Sequence, residues 1–221
     1  MNVLRCIKEY QRELEAIGSE PPPAPRWNQD WFPRLDAAAA YAMVRATRPR
    51  RIVEVGCGHS TRFLARSVAD GGLDTRITAI DPEPRASLEG LDIEWLEKRV
   101  QRVAAFPALA AGDILFIDSS HQLKPGSDVE FLLKAVLPLL PPGVRVHFHD
   151  IFLPDDYPEH WTWRRYNEQA AVSALIERDL FKVDFASHAT VTRRPEALCG
   201  VLARLPLPPG AIESSLWLTK N

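Results

Sequence analysis

The sequence predicts an α/β fold, a Rossmann-like doubly wound sheet that is mostly parallel. Short apolar runs alternate with helix-forming stretches from about residue 35 to residue 179. The runs are nearly continuous in Val, Ile, Leu and Phe, as strands covered on both faces are. The first of them, IVEV at 52–55, passes directly into Gly-Cys-Gly and a hydroxyl-rich helix start.

Taken in order, residues 3–17 read as an amphipathic helix, broken by the stiff connector EPPPAP at 20–25. LDAAAAYAMVRAT at 35–47 is strongly helix-forming. After the strand at 52–55, STRFLARSVAD at 60–70 suits a helix and GGLDTR at 71–76 a turn. Strands follow at 77–81 (ITAID), 91–97 (LDIEWLE) and 113–118 (DILFID). A helix at 127–140 is ended by Pro-Pro-Gly. VRVHFHD at 144–150 is the next strand and 163–179 the next helix. FKVDFAS at 181–187 and SLWLTK at 215–220 are the last strands. No strong helix pattern separates them, which allows an antiparallel pairing. The expected division is residues 1–26 as an N-terminal helix and connector, and 27–221 as one domain.

Composition narrows the function. A chain of 221 residues with 46% hydrophobic and 25% charged residues builds a packed core. Its net charge of −2 argues against a dedicated nucleic-acid binder. Cys6, Cys57 and Cys199 form no CxxC pair, so neither a zinc knuckle nor a disulfide framework is suggested. The N-terminus lacks the apolar core of a signal peptide, and no run approaches membrane-spanning length, so a cytoplasmic setting is expected.

Gly56 and Gly58 follow the first strand, where open α/β sheets bind ligands. Glycine permits the tight turn and a close approach of ligand to backbone. A dinucleotide fingerprint wants a third glycine at 61, which is Thr61. Glu54 stands two residues before Gly56, giving ExGxG, the pattern of class I methyltransferases that use S-adenosylmethionine. Asp81 ends the second strand, where its carboxylate suits a ribose diol.

A second constellation stands at the next strand ends. IDSSH brings Asp118 and His121, and HFHD brings His149 and Asp150. Strand alternation puts His147 on the same face as His149, and His147 reads as an ordinary core histidine. Carboxylates with imidazoles suit a divalent metal, magnesium or manganese, that acidifies a substrate hydroxyl. Alternatively His121 or His149 is a metal-free general base, or the acids merely cap strand ends.

The stretches IVEVGCGHST, FIDSSH, VHFHDIFLPDDYP, YNEQ and SSLWLTK resemble a bacterial class I S-adenosylmethionine-dependent methyltransferase subgroup, from about residue 27 to the C-terminus. The resemblance implies a seven-stranded sheet with an antiparallel last strand. It implies that Glu54, Gly56, Gly58, His59 and Ser60 line the methionine moiety, Asp81 the ribose, and Gln101 the adenine. Related metal-dependent O-methyltransferases hold their ion at the positions of Asp118, His149 and Asp150, often with an acid where His149 stands. The expected activity is methyl transfer to an oxygen of a small molecule or sugar, with Asp118, His121 and His149 catalytic. A nicotinamide-dependent oxidoreductase and a non-catalytic cofactor-binding module are the alternatives. The aromatic segment 152–169, with Tyr157, Trp161, Trp163 and Arg164, is either a substrate cover or a surface loop. The helix at 3–17 is a second cover or a homo-oligomer contact.

Overall fold

Ile52, Val53, Glu54 and Val55 are all buried, because the strand they form is covered on both faces. The computed structural model describes residues 1–221 and contains seven strands. They are β1 (Arg51–Val55), β2 (Arg76–Ile80), β3 (Glu94–Leu96), β4 (Ile114–Ile117), β5 (Arg145–Phe148), β6 (Phe181–Ala186) and β7 (Leu216–Lys220). The sheet order is β3-β2-β1-β4-β5-β7-β6. The first five strands run parallel, and β7 inserts antiparallel between β5 and β6. The order reverses beside β1, so the carboxyl ends of β1 and β4 bound the crevice in which such folds bind ligands.

Eight α-helices accompany the sheet: α1 (Val3–Glu9), α2 (Gln11–Ala16), α3 (Arg34–Thr47), α4 (His59–Asp70), α5 (Asp128–Phe131), α6 (Glu168–Glu177), α7 (Ser187–Arg193) and α8 (Val201–Arg204). On one face, α1, α3 and α4 pack with Ile52, Phe116 and Trp217. On the other, Val53, Val55, Leu115 and Val146 pack against Leu132, Val136 and Val172. This alternation along each strand is the two-residue period of a pleated sheet. Each fully buried large aliphatic contributes about 1.5–3 kcal/mol.

Several elements differ from expectation. The helix predicted at 3–17 divides at Tyr10, whose φ of −104° and ψ of 22° leave the helical region. The strand predicted at 91–97 shortens to Glu94–Leu96 at the sheet edge. The helix predicted at 127–140 begins as α5 and then widens to π over Leu132–Val136, before Pro138 tightens the last turn. Only Glu168–Glu177 of 163–179 is α-helical; Glu159–Arg164 is a 3₁₀ turn closed by Arg165 at φ 56°. Between β6 and β7 lie α7 and α8, which sequence patterning missed. No helix is long and apolar enough to cross a membrane.

Candidate active site

Gly56 leaves β1 with φ 83°, a left-handed conformation that glycine alone adopts without strain. Its N–H donates to the carbonyl of Ile80, and Asp118 N–H donates to the carbonyl of Val55. The turn is therefore sewn between the ends of β2 and β4. A side chain at Gly56 would meet the Asp118 carbonyl oxygen at 1.7 Å. Gly58 N–H donates to Thr61 Oγ1 at 2.9 Å, which caps the start of α4. Thr61 thus occupies, with a working side chain, the place where a dinucleotide site needs a third glycine.

These elements wall a cavity of about 860 Å³ at the carboxyl ends of the strands. Gly56, Gly58, His59, Ser60, Asp81, Gln101, Asp118, His121, His149 and Asp150 all line it. Glu54 does not; it lies fully buried behind the loop, where Ser60 Oγ donates to its Oε1 at 2.6 Å. Asp81 accepts from Cys57 N–H at 2.7 Å and Glu83 N–H at 2.8 Å, which fixes its carboxylate at the cavity wall.

Several buried polar atoms on this wall have no partner in the protein: His59 Nδ1, Gln101 Oε1 and Ser119 Oγ, with Glu54 Oε2 behind them. Buried polar groups are nearly always paired, so orphans on residues that line one cavity leave partners for a polar ligand to supply. A nucleoside joined to an amino acid fits this set: a carboxylate for a diol, an amide for a base edge, and hydroxyl and imidazole for an α-amino acid end. Burial, with Arg62 and Arg26 adding, pushes the His59 imidazole down to about 4, so it is neutral near pH 7.

Burial pushes the Glu54 carboxyl up to about 8. An acid raised in the folded state contributes stability that is greatest below its unfolded pKa and is lost as pH rises toward the folded value. Glu54→Gln removes the ionisation and keeps an acceptor for Ser60. We expect the variant to gain about 1–3 kcal/mol on the wild type between pH 5 and pH 8. Thermal melts across that range check it; a constant difference would show that Glu54 stays ionised in the folded chain.

The opposite wall carries the second constellation. His121 Nε2 lies 3.4 Å from Asp118 Oδ1 and 3.6 Å from Asp150 Oδ2. His149 Nδ1 lies 3.5 Å from an oxygen of each of the same two aspartates. The four side chains form a ring of alternating sign. Each imidazole is gripped from behind by a buried carboxylate: His121 Nδ1 by Glu168 at 2.5 Å, and His149 Nε2 by Asp36 at 3.2 Å. Burial opposes charge on both imidazoles, yet the surrounding carboxylates hold both well above the ordinary histidine range. Asp118 is held well below the carboxylate range by His149 and His121, against the opposing effect of burial. His121 and Asp150 both have left-handed backbones, at φ 56° and 54°. Such conformations outside glycine concentrate at functional sites.

His147 stacks on Phe116 with ring centroids 3.7 Å apart and pairs with Ser215 Oγ at 2.8 Å. Burial, with His149 nearby, holds it well below the histidine range, as a neutral core residue. Asp36, Glu168, Lys124 and Tyr166 were not singled out by sequence reasoning. Asp36 reads as a helix-start acid and Glu168 as part of YNEQ; nothing local says that either reaches a histidine.

A family model described as a methyltransferase domain matches residues 53–151. That stretch of the chain is thus similar to methyltransferase domains. No curated protein sequence matches it. Solved structures match over nearly the whole chain. Podospora anserina methyltransferase PaMTH1, bound to S-adenosylhomocysteine, aligns over 98% of this chain and 88% of its own with 17% identity and a TM-score of 0.55. The O-methyltransferase TomG from Streptomyces achromogenes, in complex with S-adenosylmethionine, aligns over 100% and 90% with 17% identity and a TM-score of 0.52. The Bacillus cereus O-methyltransferase with S-adenosylhomocysteine aligns over 100% and 91% with 13% identity and a TM-score of 0.50. At these identities the likeness is one of fold: the seven-stranded mixed sheet is that of these methyltransferases.

Proposed function

We propose that this chain transfers a methyl group from S-adenosylmethionine to an oxygen of a small-molecule acceptor, at the ring of Asp118, His121, His149 and Asp150. One observation carries the reading: a single cavity joins the glycine turn, with its orphaned polar atoms, to that ring. Gly56, Gly58, His59 and Ser60 take the amino-acid end of the donor, with Glu54 acting through Ser60. Asp81 takes the ribose and Gln101 the base.

The donor supplies an electrophilic methyl on a sulfonium. The protein's task is to hold the acceptor oxygen in line and remove its proton. Asp118 has 24% of its side chain exposed, against 4% for His121, 5% for His149 and 9% for Asp150. It is thus the group that meets the acceptor hydroxyl. As the oxygen–carbon bond forms, that proton becomes strongly acidic, so a carboxylate that the two imidazoles keep ionised is basic enough to take it. His121 and His149 fix the carboxylate's place and charge.

Asp118, His149 and Asp150 are also the residues that would hold a divalent metal, which when bound lowers the pKa of a coordinated hydroxyl. No group of His, Cys, Asp and Glu side chains is already drawn into a metal cage. The facing atoms are 3.5 Å apart, and donors around an ion with bonds of about 2.1 Å lie about 3.0–3.4 Å apart.

Calorimetric titration with S-adenosylhomocysteine tests the reading, with Gly58→Arg as control. A Cβ at Gly58 already lies 3.3 Å from Arg85 Cβ and 3.4 Å from Ala86 N, so a longer side chain must enter the cavity. We expect micromolar affinity and a loss of at least about 100-fold in the variant. A folded wild-type chain that ignores millimolar ligand would overturn the proposal. Binding of NAD instead would favour an oxidoreductase.

A further inference from the structure

We propose that the methyl acceptor is an acid, carrying a carboxylate or phosphate that Lys124 and Arg164 seat beside its reacting hydroxyl. This rests on the methyl-transfer reading above. Besides the two imidazoles of the ring, four lysine and arginine side chains line the cavity: Arg85, Arg99, Lys124 and Arg164. None has a carboxylate partner, whereas Arg34, Lys134, Arg193 and Arg204 elsewhere each hold one. Arg85 stacks on Trp31 at 4.3 Å, and Arg99 adjoins the Val100–Gln101 wall assigned to the donor's base.

Lys124 and Arg164 belong to different segments but are fastened to one side chain. Gln122 Nε2 donates to the Arg164 carbonyl at 2.9 Å, and Gln122 Oε1 accepts from Lys124 Nζ at 3.0 Å. The Arg164 guanidinium lies over Trp161 at 4.2 Å, Trp163 at 5.1 Å and Tyr166 at 5.5 Å, so its plane is set before any ligand arrives. One terminal nitrogen donates to Tyr166 Oη at 3.0 Å, while the Nε–H is buried without a partner. A buried guanidinium N–H left unpaired is costly, and an oxyanion is the partner its fork geometry fits best.

The protein's own carboxylates on this side are already committed. Asp128 accepts from Ser120 N–H at 2.9 Å and Ser120 Oγ at 2.5 Å, and Glu168 is bonded to His121. The Tyr166 ring lies 4.6 Å from that of His121, so the seat is one side chain away from the Asp118 ring. An acceptor held there by its anionic group places a neighbouring hydroxyl at Asp118.

The test titrates the full chain, loaded with S-adenosylhomocysteine, with benzoate, phenyl phosphate and neutral benzyl alcohol, read by ligand-observed NMR. We expect at least one anion to bind about tenfold more tightly than the alcohol, and more weakly in high salt. Which anion prevails identifies the carboxylate or the phosphate. Arg164→Gln and Lys124→Gln should each weaken it at least about fivefold, while Arg178→Gln, at an exposed helix end, should not. Matching melting temperatures show that the variants are folded, and either variant alone suffices to decide. Equal binding of the alcohol, anion binding untouched in both variants, or no anion binding at tens of millimolar would each overturn the seat. If the chain fails to bind S-adenosylhomocysteine, the methyl-transfer reading falls, and the same titration of the unloaded chain judges the seat by itself.

Discussion

Gly56→Ala is expected to cost at least about 3 kcal/mol of stability and to abolish S-adenosylhomocysteine binding, although it adds one methyl group. Two costs combine. Alanine at φ 83° pays the left-handed penalty of about 1–2 kcal/mol. Its Cβ would also lie 1.7 Å from the Asp118 carbonyl oxygen, 2.5 Å from the Asp118 carbonyl carbon and 3.1 Å from Ser119 Cα. Those atoms are backbone at the end of β4, so no rotamer relieves the clash; the strand ends must part. Parting them moves both walls of the cavity, because Gly56 begins the glycine turn and Asp118 belongs to the ring on the opposite wall. At about 2–4 °C per kcal/mol for a chain of this size, the melting temperature should fall by about 6–12 °C. Gly72→Ala is the control: φ is 52° but nothing lies within 4 Å of the new Cβ, so only the smaller conformational cost remains. If both variants melt alike and Gly56→Ala still binds ligand, the interlock of the two strand ends is not what shapes the site.

The glycine-turn wall of the cavity was legible because its signals are local. An apolar run, two glycines and a hydroxyl at a helix start occupy ten consecutive residues, and each has a conformational reason to be there. The wall that carries Asp118, His121, His149 and Asp150 was half legible. Asp118 and His149 end strands that their apolar patterns reveal, so their place on the crevice follows from the fold. Their supports do not: Asp36 reaches His149 across 113 residues and Glu168 reaches His121 across 47. A carboxylate early in a helix looks the same whether it caps the helix or grips an imidazole. The helix read at 163–179 starts late for a different reason. Its first residues end the 3₁₀ turn Glu159–Arg164, which the left-handed Arg165 closes before the helix begins at Glu168, while Trp161 and Tyr157 pack edge-on against Phe152 at 5.2 and 5.7 Å. Likewise α7 begins directly at the end of β6, and its β-branched Thr190, Val191 and Thr192 gave no helix signal.

Asp36→Ala should be the most damaging change outside the cavity, at about 3–5 kcal/mol. Asp36 is fully buried in the first turn of α3, where the helix dipole favours a negative charge. It accepts from Ser214 N–H and Ser215 N–H, both at 2.9 Å, and from His149 Nε2 at 3.2 Å. One carboxylate thus joins α3, the lead into β7 and the ring of Asp118, His121, His149 and Asp150. Alanine strands two backbone donors and leaves a buried imidazole with no partner behind it, and each such orphan is expensive. Asparagine keeps one acceptor oxygen but turns an amide N–H₂ toward a donor, so it should recover roughly half of the loss. Arg34 and Glu213 brace the same junction with a two-pronged ion pair at 2.8 and 2.9 Å, which keeps the helix docked while Asp36 is varied. Urea melts of both variants give the energies. S-adenosylhomocysteine titration of Asp36→Asn separates the walls, since Asp36 does not line the cavity. Equal losses for alanine and asparagine would mean that the charge matters more than the hydrogen bonds, and Asp36 would then act chiefly as the counterion of His149. A graded loss with donor binding intact would mean that it anchors the acceptor wall by its bonds.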